Sequence, residues 1–158
     1  PGVVATAQVV GGSSGLAVER LTLGAGTRDG VVERMPVTVP AGLVGIVTEV
    51  TSGRSVVRTV LDPESRVGVT VRGKGGQGVA VGEIGGRVRV VRFVESDPVE
   101  AGDVVETSSY GGLFPRGVRL GVVTEVLPPD PNDLRRAFLV EPSADLSTLL
   151  EVALIAPQ

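Results

Sequence analysis

Residues Gly42–Val50 alternate in polarity, and the alternation returns at Arg119–Val126 with nearly the same letters. Gly45-Ile46-Val47-Thr48-Glu49-Val50 is echoed by Gly121-Val122-Val123-Thr124-Glu125-Val126. A period of two predicts a half-buried strand in each place. It sets Val44, Ile46, Thr48 and Val50 on one face, and Leu120, Val122, Thr124 and Val126 on the same face of the second strand. Glu49 and Glu125 fall on the opposite, wet face, together with Gly45 and Gly121. Glycine inside a strand predicts a sharp bend or a close backbone approach, as at a barrel corner.

The echo runs outward in both directions. Asp29-Gly30-Val31 resembles Asp97-Pro98-Val99, and each leads into a short apolar strand, Pro36 to Val39 and Asp103 to Thr107. Val60-Leu61-Asp62-Pro63 resembles Leu139-Val140-Glu141-Pro142, and Val9-Val10-Gly11-Gly12 resembles Glu83-Ile84-Gly85-Gly86. The chain thus reads as two copies of one unit, about 1–65 and 75–143. About eight added residues in the second copy lie between Asp103 and Leu120. Further strands are expected at Val3–Val10, Val18–Leu23, Ser55–Leu61, Gly78–Ile84, Arg87–Val94 and Arg135–Glu141.

Two more strands, Arg66–Arg72 and Leu150–Ile155, complete the set. Gly73-Lys74-Gly75-Gly76-Gln77 is a glycine-rich hairpin loop, so Arg66–Arg72 pairs within the second copy. The C-terminal strand is then free to return to the first. The expected fold class is all-β: two six-stranded β-barrels related by an internal repeat, the second inserted into the first, with a plain tandem arrangement as the alternative. The expected domains are 1–65 with about 144–158, and 66–143. The one helical candidate is Ala144–Leu149, with Ser143 as its cap.

Composition agrees. The chain holds 33 valines, 23 glycines and 11 prolines in 158 residues. Branched valine packs well on a pleated surface, and glycine and proline punctuate turns. There is no Cys and no His, which excludes thiolate or imidazole metal sites and any histidine triad. A net charge of −3 gives no nucleic-acid footprint. No apolar run reaches the roughly 18 residues that span a bilayer. The chain begins at Pro1, so a membrane contact is expected only through an upstream anchor.

Enzymatic readings weaken one by one. Gly73-Lys74-Gly75-Gly76 lacks the spacing and the Ser or Thr of a phosphate loop. Gly24-Ala25-Gly26-Thr27-Arg28-Asp29-Gly30 has its third glycine one position late for a dinucleotide fingerprint, and no helix follows. Ser13, Ser14, Ser52, Ser65, Ser108 and Ser109 have no imidazole to activate them. Asp62 with Glu64 and Asp97 with Glu100 are pairs of loop acids, and the chain has no Trp for a sugar platform. No cofactor motif remains.

The added segment, Thr107 to Gly117, holds the only Tyr and one of three Phe. Tyr110, Leu113, Phe114 and Arg116 have the composition of a protein-contact surface, with Phe93 as a second candidate. Alternatively, Phe114 and Leu113 plug the end of their own barrel.

Several of these stretches together resemble one family. Asp62-Pro63-Glu64-Ser65-Arg66-Val67, Gly42-Leu43-Val44-Gly45-Ile46-Val47, and Gly111-Gly112-Leu113-Phe114-Pro115-Arg116-Gly117 with Gly121-Val122-Val123 are similar to the rod shape-determining protein MreC family. Thr22-Leu23-Gly24-Ala25-Gly26, Asp29-Gly30-Val31 and Met35-Pro36-Val37 follow in the family's order. Arg34 departs from it, standing where a glycine is usual. The resemblance implies a non-catalytic scaffold of cell elongation and peptidoglycan synthesis that maintains rod shape. It implies self-association as a dimer or filament, and as partners an elongation-specific class B penicillin-binding protein, MreD and MreB. It places the chain on the extracytoplasmic, periplasmic side of the cytoplasmic membrane, behind an N-terminal anchor. A different reading of the same residues is an extracytoplasmic β-barrel module that binds a small ligand or glycan.

Overall fold

Valine-rich runs broken by glycine and proline fold here as strands joined by tight turns. The computed structural model describes residues 2–13 and 17–158, so Ser14 lies outside the described residues. In chain order the strands are β1 (Val3–Gly12), β2 (Arg20–Leu23), β3 (Pro36–Val39), β4 (Gly42–Val50), β5 (Ser55–Thr59), β6 (Arg66–Val71), β7 (Gly75–Glu83), β8 (Arg87–Val94), β9 (Val104–Thr107), β10 (Arg119–Val126), β11 (Arg136–Pro142) and β12 (Glu151–Ile155). A single 3-10 turn covers Thr27–Asp29.

The strands close into two antiparallel barrels, ordered β1-β12-β3-β4-β5-β2 and β10-β11-β8-β7-β6-β9. Read from β7, the second order becomes β7-β6-β9-β10-β11-β8. It matches the first, strand for strand. β12 therefore occupies in the first barrel the place that β6 occupies in the second. Strands β6 to β11 all fall between β5 and β12 in the chain.

Residues paired across antiparallel strands share a face, so the register identifies each interior. In the first barrel Leu21, Val57, Val47 and Leu154 point inward with Val37, and each is at most 3 % exposed. In the second, Val67, Ala80, Val90 and Phe138 form one inward row across β6, β7, β8 and β11. Phe93 and Phe138 meet edge to face, with ring centroids 5.1 Å apart and an interplanar angle of 73°. Side chains fill both barrels, as expected at this size.

The register also corrects the phase expected for the echoed strands. Gly45 pairs with the buried Val37 and Thr59, and Val47 pairs with Val57. Gly121 pairs with Val105, and Val123 with Val140. The interior face thus carries Gly45 and Val47, and Gly121 and Val123. Ile46 and Val122 lie on the other face, where Ile46 is still buried, Val122 is half-buried and Thr124 is exposed. Glycine is required because a Cβ at Gly45 would strike the Arg58 carbonyl, and one at Gly121 the Glu141 carbonyl. Bulges at Val47/Glu49 and Val123/Glu125 shift the alternation within each strand, which simple parity cannot register.

Register moves the downstream end of the repeat as well. Thr59 and Pro142 both face the echoed glycine, so Val60 corresponds to Ser143 and Asp62 to Asp145. The hydrogen bonds repeat in the same positions. Val60 N donates to Val44 O at 3.0 Å, and Ser143 N donates to Leu120 O at 2.9 Å. Glu64 N donates to Asp62 Oδ1, and Ser147 N donates to Asp145 Oδ1. The expected helix over Ala144–Leu149 is therefore absent. That stretch is the second copy of the Asp62 turn, and Ser143 spends its hydroxyl on Arg119 Nε, 2.9 Å away, instead of capping.

The barrels meet where β4 and β10 begin. A Cβ on Gly42 would lie 2.5 Å from the Arg119 carbonyl oxygen, and Val44 and Leu120 beside it are wholly buried. On the other side, Gly82 lies against the backbone of Leu61 and Asp62, leaving no room for a side chain. Asp62 is itself buried and paired with Arg20 Nη1 at 2.9 Å.

Candidate partner-contact surface

Pro40 and Ala41 alone connect β3 to β4, whereas residues 108–118 connect the equivalent β9 and β10. Thr107, at the end of β9, anchors the base of this longer loop and is fully buried. Its hydroxyl donates to Pro115 O at 2.6 Å and accepts from Val118 N at 2.8 Å. Its backbone exchanges bonds with Val118 O and Gly117 N. Gly111, Gly112 and Gly117 all have positive φ, so the loop reverses direction at both ends of its apolar stretch.

The loop lies across β6. Ser108 N donates to Gly68 O, and a Cβ on Gly68 would fall 2.5 Å from Tyr110 O. Gly68 thus lets the loop backbone rest directly on the sheet. Tyr110, Gly111, Leu113 and Phe114 then enclose, with Arg66 and Val79, a cleft of about 130 Å³.

Within this frame the five candidates separate. Tyr110 is 57 % exposed, and Arg116 is exposed and takes part in none of the ion pairs among the described residues. Leu113 is half-buried, and Phe114 is 7 % exposed and belongs to the buried hydrophobic cluster. Phe93 is corrected outright. It is fully buried against Phe138 and offers no surface to a partner. Its ring lies over the glycine-rich hairpin, where a Cβ on Gly76 would sit 2.5 Å from Phe93 Cζ. The hairpin glycines therefore make room for an aromatic ring. Its turn is also shorter than expected, because β7 already begins at Gly75 and Lys74 N donates to Val71 O.

Lys74, the only lysine, ties this turn to the loop before β9. Its Nζ lies 3.0 Å from Pro98 O, 2.9 Å from Asp103 Oδ2 and 3.4 Å from Glu100 Oε2. The hydrogen bond to Asp103 holds the ammonium pKa above its usual value. Burial pushes the Asp103 carboxyl upward, but the Lys74 ammonium and the Glu100 amide bring it below the usual range. The cluster braces a turn. Among the described residues no group of three or more His, Cys, Asp or Glu is arranged to hold a metal ion. Among the described residues no helix is long and apolar enough to cross a membrane.

The sheet beneath the loop is the feature that composition alone does not reveal. In β7 the small residues Gly78, Ala80 and Gly82 face inward, and Val79 and Val81 face outward. The available signal is the alternation of small and branched residues from Gly78 to Gly82, once its phase is known.

Comparison with known proteins agrees with this architecture. The family model described as "Rod shape-determining protein MreC, barrel core" matches residues 9–156. A cell shape-determining protein MreC from Caulobacter vibrioides is 33 % identical over 124 residues, covering 78 % of this chain and 36 % of that protein. The Bacillus subtilis protein of the same name is 29 % identical over 150 residues, covering 87 % of this chain and 51 % of its own length. The chain thus spans about half or less of these relatives. The crystal structure of MreC from Pseudomonas aeruginosa superposes with a TM-score of 0.87 at 26 % identity, covering 96 % of this chain and 98 % of that one. The same fold recurs at 22 % identity, with a TM-score of 0.82 over 98 % of this chain and 95 % of the other, in the major periplasmic domain of the cell shape-determining filament MreC. It recurs at 16 % identity, with a TM-score of 0.72 over 96 % of each chain, in a complex between penicillin-binding protein PBP2 and MreC from Helicobacter pylori. The family is a structural, cell shape-determining one rather than an enzyme family. With two matching barrels and a family match over nearly its whole length, this chain belongs to the rod shape-determining protein MreC family.

Proposed function

We propose that this chain is the barrel core of a non-catalytic scaffold for peptidoglycan synthesis during cell elongation. It acts on the extracytoplasmic side of the cytoplasmic membrane, held there by an upstream anchor. It self-associates, and it binds a class B penicillin-binding protein; MreD and MreB complete the assembly. The mechanism is differential affinity: a scaffold that binds one state of an enzyme more tightly raises that state's population.

The observation that carries this reading is the loop from Ser108 to Val118. It is the main departure from the repeat, its base is locked by Thr107, and it holds Tyr110 and Arg116 exposed. Tyr and Arg are residue types enriched at binding hot spots. Side chains fill both barrel interiors among the described residues, which favours a surface role over a ligand held inside a barrel.

Biolayer interferometry with the purified periplasmic part of the cognate class B penicillin-binding protein tests the proposal. Tyr110→Ala combined with Arg116→Glu is expected to weaken binding about tenfold or more. Binding equal to wild type would remove the loop from the interface.

A further inference from the structure

The outward face of β6, β7 and β8 is built from two clefts that adjoin. Register sets Gly68, Val79 and Val91 in one row, and Arg66, Val81 and Arg89 in the next. The first row floors the cleft enclosed by Tyr110 and Leu113. The second row continues into a cleft of about 440 Å³ lined by Val81, Glu83, Ile84, Arg87, Arg89 and Val91. Branched residues occupy the outward positions of β7 here, and Ile84 at its end is 84 % exposed. From Val79 to Ile84 the strip runs about 17 Å at the rise of an extended strand.

Its charge is opposite to that of the chain. The whole molecule carries −3, yet this face presents Arg66, Arg87 and Arg89 against Glu83 and, at its border, Glu141. Glu83 is paired to Arg89 Nε at 3.0 Å. Arg66 hydrogen-bonds only the carbonyls of Pro63 and Ser65, and Arg87 is in none of the ion pairs among the described residues. Arg66 and Arg87 thus border the apolar trough outside any ion pair among the described residues, although Glu83 lies across the strand from Arg87 and Glu141 lines a cleft with it.

We infer that this trough receives a short protein segment whose apolar side chains are flanked by Asp or Glu. The inference rests on the reading that the chain binds a penicillin-binding protein, and it assigns the docking face on this chain. Ile84 alone protrudes; Val79, Val81 and Val91 are half-buried and line the clefts, so the face accepts knobs from a partner. A bilayer needs protruding anchors and a denser cluster of cations. Arginine at the border of an apolar contact fixes the partner's orientation and accelerates encounter.

The test measures association of the 158-residue chain with the purified periplasmic part of the class B penicillin-binding protein at 50 and 300 mM NaCl. Wild type is expected to weaken with salt. Arg66→Glu with Arg87→Glu is expected to lose about tenfold at low salt and to become nearly independent of salt. Arg87→Glu alone, which breaks none of the ion pairs but faces Glu83 across the strands, is expected to show a smaller loss in the same direction, with the circular dichroism of wild type retained. If wild type binds and both variants bind equally well, this face is not the docking site, and the reading of partner binding stands. If wild type shows no binding, both are overturned. Binding to phosphatidylglycerol vesicles that Arg87→Glu abolishes, with no effect on the protein partner, would also overturn the assignment.

Discussion

Arg34 holds φ at 71° on an exposed turn, a conformation that L-residues with a Cβ adopt at a cost of about 1 kcal/mol. Its position is explained by the repeat. Arg34 N donates to Val47 O as Gly102 N donates to Val123 O, and Gly102 has φ 95°. The second copy keeps glycine where the first has arginine. Arg34→Gly is therefore expected to stabilise the chain by about 0.5 kcal/mol after the entropy of glycine is subtracted. Thermal unfolding should shift upward by about 1–2 °C. The aromatic residues make an opposite pair of predictions. Phe93→Ala should cost about 3–5 kcal/mol of stability by opening the second barrel's core. Tyr110→Ala should stay within about 0.5 kcal/mol by chemical denaturation while weakening partner binding. Sequence alone could not separate the two rings. Phe93 gains its burial from Gly76 and Gly78 across the hairpin, a contact that depends on register.

At the level of elements, most strands were legible because valine alternation and glycine turns are local signals. Pro36–Val39 and Arg87–Val94 match their expected bounds. The hairpin assigns β6 to the second barrel and leaves β12 free to return to the first, but only the strand pairing separates this from a tandem arrangement. What was not legible depends on bulges and on partners distant in sequence: the inward phase of β4 and β10, and the Asp145 turn that replaces a helix. Two elements can be tested directly. Thr107→Val leaves Pro115 O and Val118 N without their hydroxyl partner and should cost about 1–3 kcal/mol. Amide exchange should accelerate from Ser108 to Val118. The Lys74 brace carries a pH signature. Asp103 has a depressed pKa in the folded chain, so its contribution is full above the unfolded value near 3.8 and is lost as pH falls through the lower folded value. Lys74 has a raised pKa, so its contribution is full below 10.5 and is lost as pH rises through the higher folded value. Lys74→Met should be less stable than wild type at neutral pH. In melts across pH the gap should shrink below about pH 3.5 and again in strong alkali.

The whole molecule is two closed barrels, and closure removes sheet edges that could pair with another chain. Self-association is then expected to use side-chain faces, and sedimentation at high concentration reports whether this chain alone supports it. A scaffold of closed barrels filled by side chains acts through its surface. The surface singled out here is continuous, from Tyr110 on the loop through Val79 and Val91 to Ile84. The most direct measurement is the hydrogen-exchange footprint of the chain bound to the periplasmic part of the class B penicillin-binding protein, compared with the free chain. Added protection should fall on residues 108–116 and on β7 and β8 from Val79 to Val91, with the first barrel unchanged. Protection confined to the first barrel would contradict this account.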